Sequence, residues 1–277
     1  MIGGYRALAG TLYFLGDFES ARHHATCGLR IWRSEKVQSH AEELLTPAVG
    51  CLYFAGLSEW QLGEIATCQA PMAEAISLAK ELNDMNALAM SLILAGYLAQ
   101  YLRNIVEVER LASELIELST RQNFAFPLAG GKVLRGWTRI ATGKTTEGLA
   151  LMDDGIEGWR ATGTILVVPY YLTLRAEALY LAHRTSEALE AIREAEALAE
   201  RSEEHCWSAE LHRLRGVFLA AMGAEETQIV ASFCEAIRIA KEQKSVSLLK
   251  RAEGTHAEYR RQKASGSGGR GFRLPLC

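Results

Sequence analysis

Between Leu172 and Leu198, apolar residues fall at helical intervals on both sides of His183-Arg184. Leu174, Ala178 and Leu181 come before that break, and Ala188, Ile192, Ala195 and Leu198 after it. The spacing predicts two short amphipathic helices folded back on each other. The template recurs along most of the chain, with hairpin bends at Gly16, Gly63, Arg103, Gly143, His183 and Gly223. From Gly63 onward the bends are 40 residues apart, and the first interval is 47.

Other positions keep the same beat. Seven residues before each bend stands a small residue: Ala9, Gly56, Gly96, Gly136, Ala176 or Gly216. Glycine inside a helix costs about 1 kcal/mol against alanine, so its use at four of six equivalent sites predicts close approach by another backbone. Five residues after the bends come Ala21, Cys68, Val108, Gly148 and Ala188, and nine after come Ala25, Met72, Ala112, Met152 and Ile192. The last unit slips by one, to Ile229 and Phe233. Pro47, Pro127 and Pro169 suit the first turn of a helix. Pro71 requires that its helix start late, near Ala70, or kink. A last helix over Val246–Lys263 is expected to cap the array with a charged, solvated face that includes Lys250 and Arg251.

This order of small residue, bend, small, bulky and small residues resembles the tetratricopeptide repeat, lengthened to 40 residues. The resemblance implies an all-α solenoid of about six helical hairpins plus a C-terminal capping helix, spanning residues 1–263. A flexible Gly/Ser-rich basic tail follows over 264–277. The segments LRGWTRIATGKTTEGLALMDDGIEGWRATGT, VVPYYLTLRAEALYLAHR and CWSAELHRLRG are similar to the C-terminal repeat region of large bacterial signalling proteins. In those, a nucleotide cyclase or winged-helix regulator precedes a STAND-type ATPase. That resemblance implies coupling to ATPase or cyclase domains outside these residues. Met1 is followed almost at once by a repeat helix, which suggests a fragment of a longer chain or an end covered by a partner.

Composition narrows the function class. Apolar residues make up 49% and charged residues 23% of the chain, with a formal charge of −3, so nothing draws it globally to nucleic acid or an anionic membrane. The longest uncharged apolar run, Ala87 to Leu102, is shorter than the roughly 20 residues a bilayer requires. Six cysteines without a C-x-x-C pair read as reduced thiols of a cytoplasmic protein.

Candidate chemistry is sparse. Gly143-Lys144-Thr145 looks like the end of a phosphate loop, but position 138 holds Thr where the motif requires glycine, and Gly143 is a hairpin bend. His205, Cys206 and His212 lack the further ligands of a zinc site. Asp153-Asp154 and Glu203-Glu204 are expected as surface charge at the edges of repeats. No catalytic residue, cofactor or metal is expected.

A concave groove lined by the first helix of each hairpin is the more informative feature. Tyr13, Phe14, Tyr53, Trp60, Tyr97 and Tyr101 should look into it. So should Trp137, Tyr170 and Tyr180, with Glu177 and Arg213 among the rings. Aromatics with a polar tip suit a surface that is apolar at one end and wet at the other. The expected function is a non-catalytic scaffold holding a protein or peptide segment. The alternative is a solenoid that closes around a small effector or signal peptide. An open groove with exposed aromatic tips would favour the scaffold, and a closed pocket lined by those rings the effector sensor.

Overall fold

All six bend residues have left-handed backbone, with φ of 86° at Gly16 and Gly63, 55° at Arg103, 85° at Gly143, 61° at His183 and 69° at Gly223. A computed structural model describes residues 1–34 and 42–265. Among these it forms thirteen α-helices, of which the first twelve pair as hairpins. They are α1 (Ile2–Leu15) with α2 (Phe18–Trp32), α3 (Glu42–Gln61) with α4 (Gln69–Glu81), and α5 (Met85–Tyr101) with α6 (Ile105–Gln122). Then come α7 (Ala125–Ala141) with α8 (Thr145–Ala161), α9 (Val168–Leu181) with α10 (Thr185–Ser202), and α11 (Ser208–Ala221) with α12 (Glu226–Glu242). The last helix is α13 (Val246–Ala264), and a 3-10 turn at His205–Trp207 leads into α11. This is the tetratricopeptide-like solenoid that the periodicity predicts.

A second series of left-handed residues lies between hairpins, at Asn83, Asn123, Gly163 and Glu203, again 40 residues apart, with Lys244 one step late. The helices α1 and α3 to α12 therefore each end by turning the chain through a left-handed residue. Side-chain caps start several of the helices that follow. Asp17 accepts from Ser20 N–H, Asp84 from Asn86 and Ala87 N–H, and Asn104 from Glu107 N–H. Lys144 stands at its cap position without a capping side-chain bond.

Crossing sites follow the small-residue pattern in two ways. A Cβ on Gly56 would come 2.6 Å from the Cys68 carbonyl oxygen, and one on Gly136 2.7 Å from that of Gly148. There one backbone meets another, as the glycines predict. At Gly96 and Gly216 the close neighbour is instead a side chain, Leu134 and Phe233 respectively. Between the layers lie Leu52, Leu92, Leu115, Met152 and Ile192, all buried. Each such side chain stabilises the fold by about 1.5–3 kcal/mol relative to exposure.

Two expectations change, for Pro47 and the last helix, and the alternative left open at Pro71 is resolved. Pro47 lies inside α3 rather than in its first turn, because the helix begins at Glu42. Pro71 sits in the first turn of α4, since a late start at Gln69 makes a kink unnecessary. The last helix does more than cap an end. It packs on α12 and α11 but also reaches α3, while the His205–Trp207 turn reaches α1. Gln243 fills the space above Gly16, and Val246 that above Gly63. Ser245 Oγ donates to Gln61 Oε1 at 2.6 Å, Ser247 Oγ to the Trp60 carbonyl, and Lys244 pairs with Glu19. The array thus turns far enough for its last helix to close against its first two hairpins. Of the expected tail only Ala264 and Ser265 fall among the described residues.

Candidate functional site

Closure of the array decides what its concave face can be. Tyr13, Tyr53, Trp60, Tyr97, Tyr101, Trp137, Tyr170, Glu177 and Arg213 are all buried, and Tyr180 is half-buried. The aromatic tips are enclosed rather than exposed. Long helices packed around a tight turn leave little room on the inside, so the rings of successive first helices meet.

Four of these rings come together with a fifth that the pattern does not pick out, Trp207. Trp60 lies 4.7 Å from Tyr101, Tyr101 lies 5.5 Å from Trp207, and Tyr170 stacks on Trp207 at 4.5 Å. Tyr97 completes the group, 5.0 Å from Tyr170. Its hydroxyl shares a hydrogen bond with Tyr171, and the Tyr170 hydroxyl donates to Gln100 Oε1 at 2.9 Å. Burial pushes the phenols of Tyr97, Tyr101 and Tyr170 well up, so they stay neutral at ordinary pH. The remaining rings belong elsewhere. Tyr13 packs on Phe18 with its hydroxyl toward Tyr101, Tyr53 lies against its helix neighbour Phe54, and Tyr180 packs on Phe218.

Beside the rings lies a charged group that joins Glu177 and Arg213 to three residues absent from the expected groove. Arg103 reaches from its bend to grip Glu177 with two hydrogen bonds of 2.8 and 3.1 Å. Arg213 grips Glu210 the same way, at 2.7 and 2.8 Å, and donates to Thr255. Burial raises the Glu210 carboxyl, but Arg213, Arg251 and Arg103 outweigh it and bring its pKa to about 2. Arg251, expected on a solvated face, turns inward. Its guanidinium lies over the Trp60 ring at 5.0 Å and donates to the Tyr101 carbonyl. Desolvation pulls its pKa below the usual arginine value.

Three cavities adjoin this group, and Arg103 lines all of them. A small one of about 20 Å³ sits among Trp60, Tyr101, Tyr170 and Trp207, with room for one water-sized molecule. A second of about 220 Å³ is walled mainly by Ile105, Trp137, Ile140, Leu174, Ala178 and Leu181. A third, a cleft of about 450 Å³, runs between α5 and α13 and is lined by Arg103, Arg213, Lys250 and Arg251. One signal in the sequence marks Arg103: glycine serves at four of the six bends, whereas here a long cation takes a left-handed conformation that L side chains disfavour.

Glu204, expected as surface charge, is wholly buried. It accepts from Val167 N–H at 2.9 Å and from Trp207 Nε1 at 2.8 Å. Burial raises its pKa to about 7, against those two hydrogen bonds. Asp153 and Asp154 do lie at the surface, paired with Arg175 and Lys132. Gly143 bends the chain between α7 and α8, as the periodicity requires of the phosphate-loop look-alike. Among the described residues no helix is long and apolar enough to cross a membrane.

No protein-family model matches the chain. It is 24% identical over 249 residues to an uncharacterized protein of Rhizobium meliloti (strain 1021), an alignment that covers 87% of this chain and 24% of that protein. The chain therefore spans about a quarter of the length of this relative. Among solved structures, it superposes with a TM-score of 0.68 and 14% identity on a Rap protein complexed with Competence and Sporulation Factor, covering 85% of this chain and 64% of that one. A Rap conjugation gene regulator of the plasmid pLS20, in complex with the Phr* peptide, gives 0.66 and 10% identity, covering 92% and 73%. The apo form of RapI gives 0.58 and 12%, covering 96% and 99%. The shared feature is the helical-repeat fold.

Proposed function

We propose that this chain is a non-catalytic regulatory module that takes an effector, a short peptide or a small molecule, into the interior of its own superhelix. The observation that carries this reading is a set of adjoining cavities that share Arg103, two of them bounded by α13. An open groove would suit capture of a long partner segment, whereas this one is bounded by the chain's own last helix. Two solved structures of similar fold are complexes, one with Competence and Sporulation Factor and the other with the Phr* peptide. In a module of this kind the ligand acts by favouring one arrangement of α13 against α3 and α5 over another.

What the module controls lies outside these residues. The likeness of the segments around Trp137, Tyr170 and Arg213 to bacterial signalling proteins favours an attached or partner ATPase or cyclase domain. A bacterial relative about four times as long leaves room for such domains. The reading places the protein in the cytoplasm, with no direct role in binding nucleic acid.

Thermal denaturation of the chain and of Leu181→Trp against a panel of peptides and metabolites tests the effector reading. The indole fills the 220 Å³ cavity from the half-buried end of α9. Ligands that raise the midpoint of the parent by several degrees should fail with Leu181→Trp. Equal shifts in both chains would count against the interior site.

A further inference from the structure

We infer that the interior site takes an oxyanion carrying an apolar body, with its head in the cleft under α13 and its body in the adjoining cavity. This rests on the effector reading above and names the ligand chemistry it implies.

The argument begins with a charge count. Arg103, Arg213, Lys250 and Arg251 line the cleft, and no carboxylate residue lines it with them. Two of the four cations are balanced from behind, Arg103 by Glu177 and Arg213 by Glu210, each through a pair of hydrogen bonds. Neither of the other two is hydrogen-bonded to a carboxylate. Lys250 is exposed at the mouth and has no ion-pair partner among the described residues. Arg251 makes one side-chain hydrogen bond, to the Tyr101 carbonyl, and its Nη1 lies 3.8 Å from Glu210, beyond hydrogen-bond reach.

Arg251 therefore keeps donors unused in a setting that is only 25% exposed. Glu210 supplies only a distant counter-charge that Arg213 already grips, and a fork of N–H groups matches the paired oxygens of a carboxylate or phosphate. The lowered pKa of Arg251 reports its desolvation. An incoming oxyanion would supply the missing acceptor to Arg251 and the missing charge to Lys250. The apolar requirement comes from next door. Arg103 forms a wall common to the cleft and to the 220 Å³ cavity, whose other walls are chiefly Trp137 and aliphatic side chains. A ligand anchored by its head near Arg103 has an apolar hole beside it.

Calorimetric titration of the full chain with octanoate, octyl phosphate, octanol and inorganic phosphate separates head from body. Octanoate and octyl phosphate should bind at least about tenfold more tightly than octanol or inorganic phosphate, and more weakly as salt rises. Arg251→Gln should weaken octanoate about tenfold or more. Lys250→Gln, at an exposed position that folding does not depend on, should weaken it several-fold. Leu181→Trp should weaken octanoate but leave inorganic phosphate unchanged. Octanol binding as well as octanoate, or octanoate affinity unchanged in Lys250→Gln and in a folded Arg251→Gln, overturns the inference. A peptide ending in two leucines, compared with its C-terminal amide, identifies the source. Preference for the free carboxylate assigns the oxyanion to a peptide end, and no preference beside tight octanoate assigns it to a small molecule. A neutral or cationic effector that Leu181→Trp excludes would sink the oxyanion while leaving the effector reading intact.

Discussion

The crossing of α7 with α8 and the seam between the α12–α13 turn and the first two hairpins are built from opposite materials. At the crossing, backbones touch through glycine: a Cβ on Gly136 would meet the Gly148 carbonyl at 2.7 Å, and one on Gly148 the Gly136 carbonyl at 2.6 Å. Met152 and Ile140 fill the space around them. At the seam the contacts to those hairpins are hydrogen bonds and an ion pair from Lys244, Ser245 and Ser247, with Val246 set over Gly63. The crossing joins neighbours and recurs with the repeat. The seam, whose hydrogen bonds join residues 184 to 225 positions apart, occurs once. Nearest-neighbour packing makes a rod, and here a single polar closure encloses a cavity within it.

Breaking the crossing should have the largest effect. Gly136→Leu drives a side chain into a backbone that cannot yield without separating the hairpin, which should destabilise the chain by about 3 kcal/mol or more. Gly216→Ala sharpens the point. Its new Cβ meets the Phe233 ring at 2.7 Å rather than backbone, and a ring can shift, so about 1–2 kcal/mol is expected. Urea unfolding measures both, and equal losses would show that backbone approach is not the special constraint at Gly136.

The seam should carry a pH dependence that the crossing lacks. Glu204 stands beside Trp207, in the turn that packs on α1, and Gln243 donates to the carbonyl of the next residue, His205, at 2.8 Å. Its folded pKa, about 7, lies above the ordinary carboxylate value of 4.5, so the folded chain holds its proton more tightly than the unfolded one. The stabilisation is then complete below about pH 4.5 and is lost as pH rises toward 7, about 3 kcal/mol in all. In Glu204→Gln that decline between pH 4.5 and 7 should vanish from the unfolding midpoints, while a Gly136→Leu chain should retain it.

How much of this was legible follows the same division. Every bend residue was readable, because 40-residue periodicity is a property of neighbours, and the series at Asn83, Asn123, Gly163 and Glu203 was equally open to view. The seam was not. Val246 to Lys263 read as a solvated cap because a charged helix ordinarily is one, and nothing local reveals that Arg251 lies over Trp60. Trp60, Tyr97, Tyr101 and Tyr170 are expected from their spacing to line a groove, yet their burial depends on how far the array turns. That angle sums small rotations over six hairpins. Glu204 was misread for a related reason, since its partner Val167 belongs to the preceding interhairpin turn.

Loosening the seam alone should cost less and alter shape more. Ser247→Ala removes one buried donor to α3, at about 1 kcal/mol, and Ser245→Ala removes another together with the N-cap of α13, at about 1–2 kcal/mol. Far-UV circular dichroism should stay unchanged, because no hairpin is touched. The radius of gyration from X-ray scattering should rise, and octanoate binding should weaken with it. Binding at full strength in the expanded double variant would mean that the cavities do not depend on closure.

The smallest effect isolates the bend at which the two regions meet. Arg103 closes the α5–α6 hairpin with φ of 55° and sends its guanidinium to Glu177, 74 residues on. Arg103→Gly and Arg103→Ala both leave Glu177 to Arg213 alone, 3.7 Å away, so both should fall below the parent in stability. That loss cancels in the comparison between them. What remains is the left-handed backbone, which glycine adopts freely and alanine resists, so Arg103→Gly should be the more stable by about 1 kcal/mol. The four glycine bends show the residue that backbone conformation alone would select. An Arg103→Gly chain more stable than the parent would mean that the ion pair contributes less than the strain it requires. The arginine would then be explained only by what it binds.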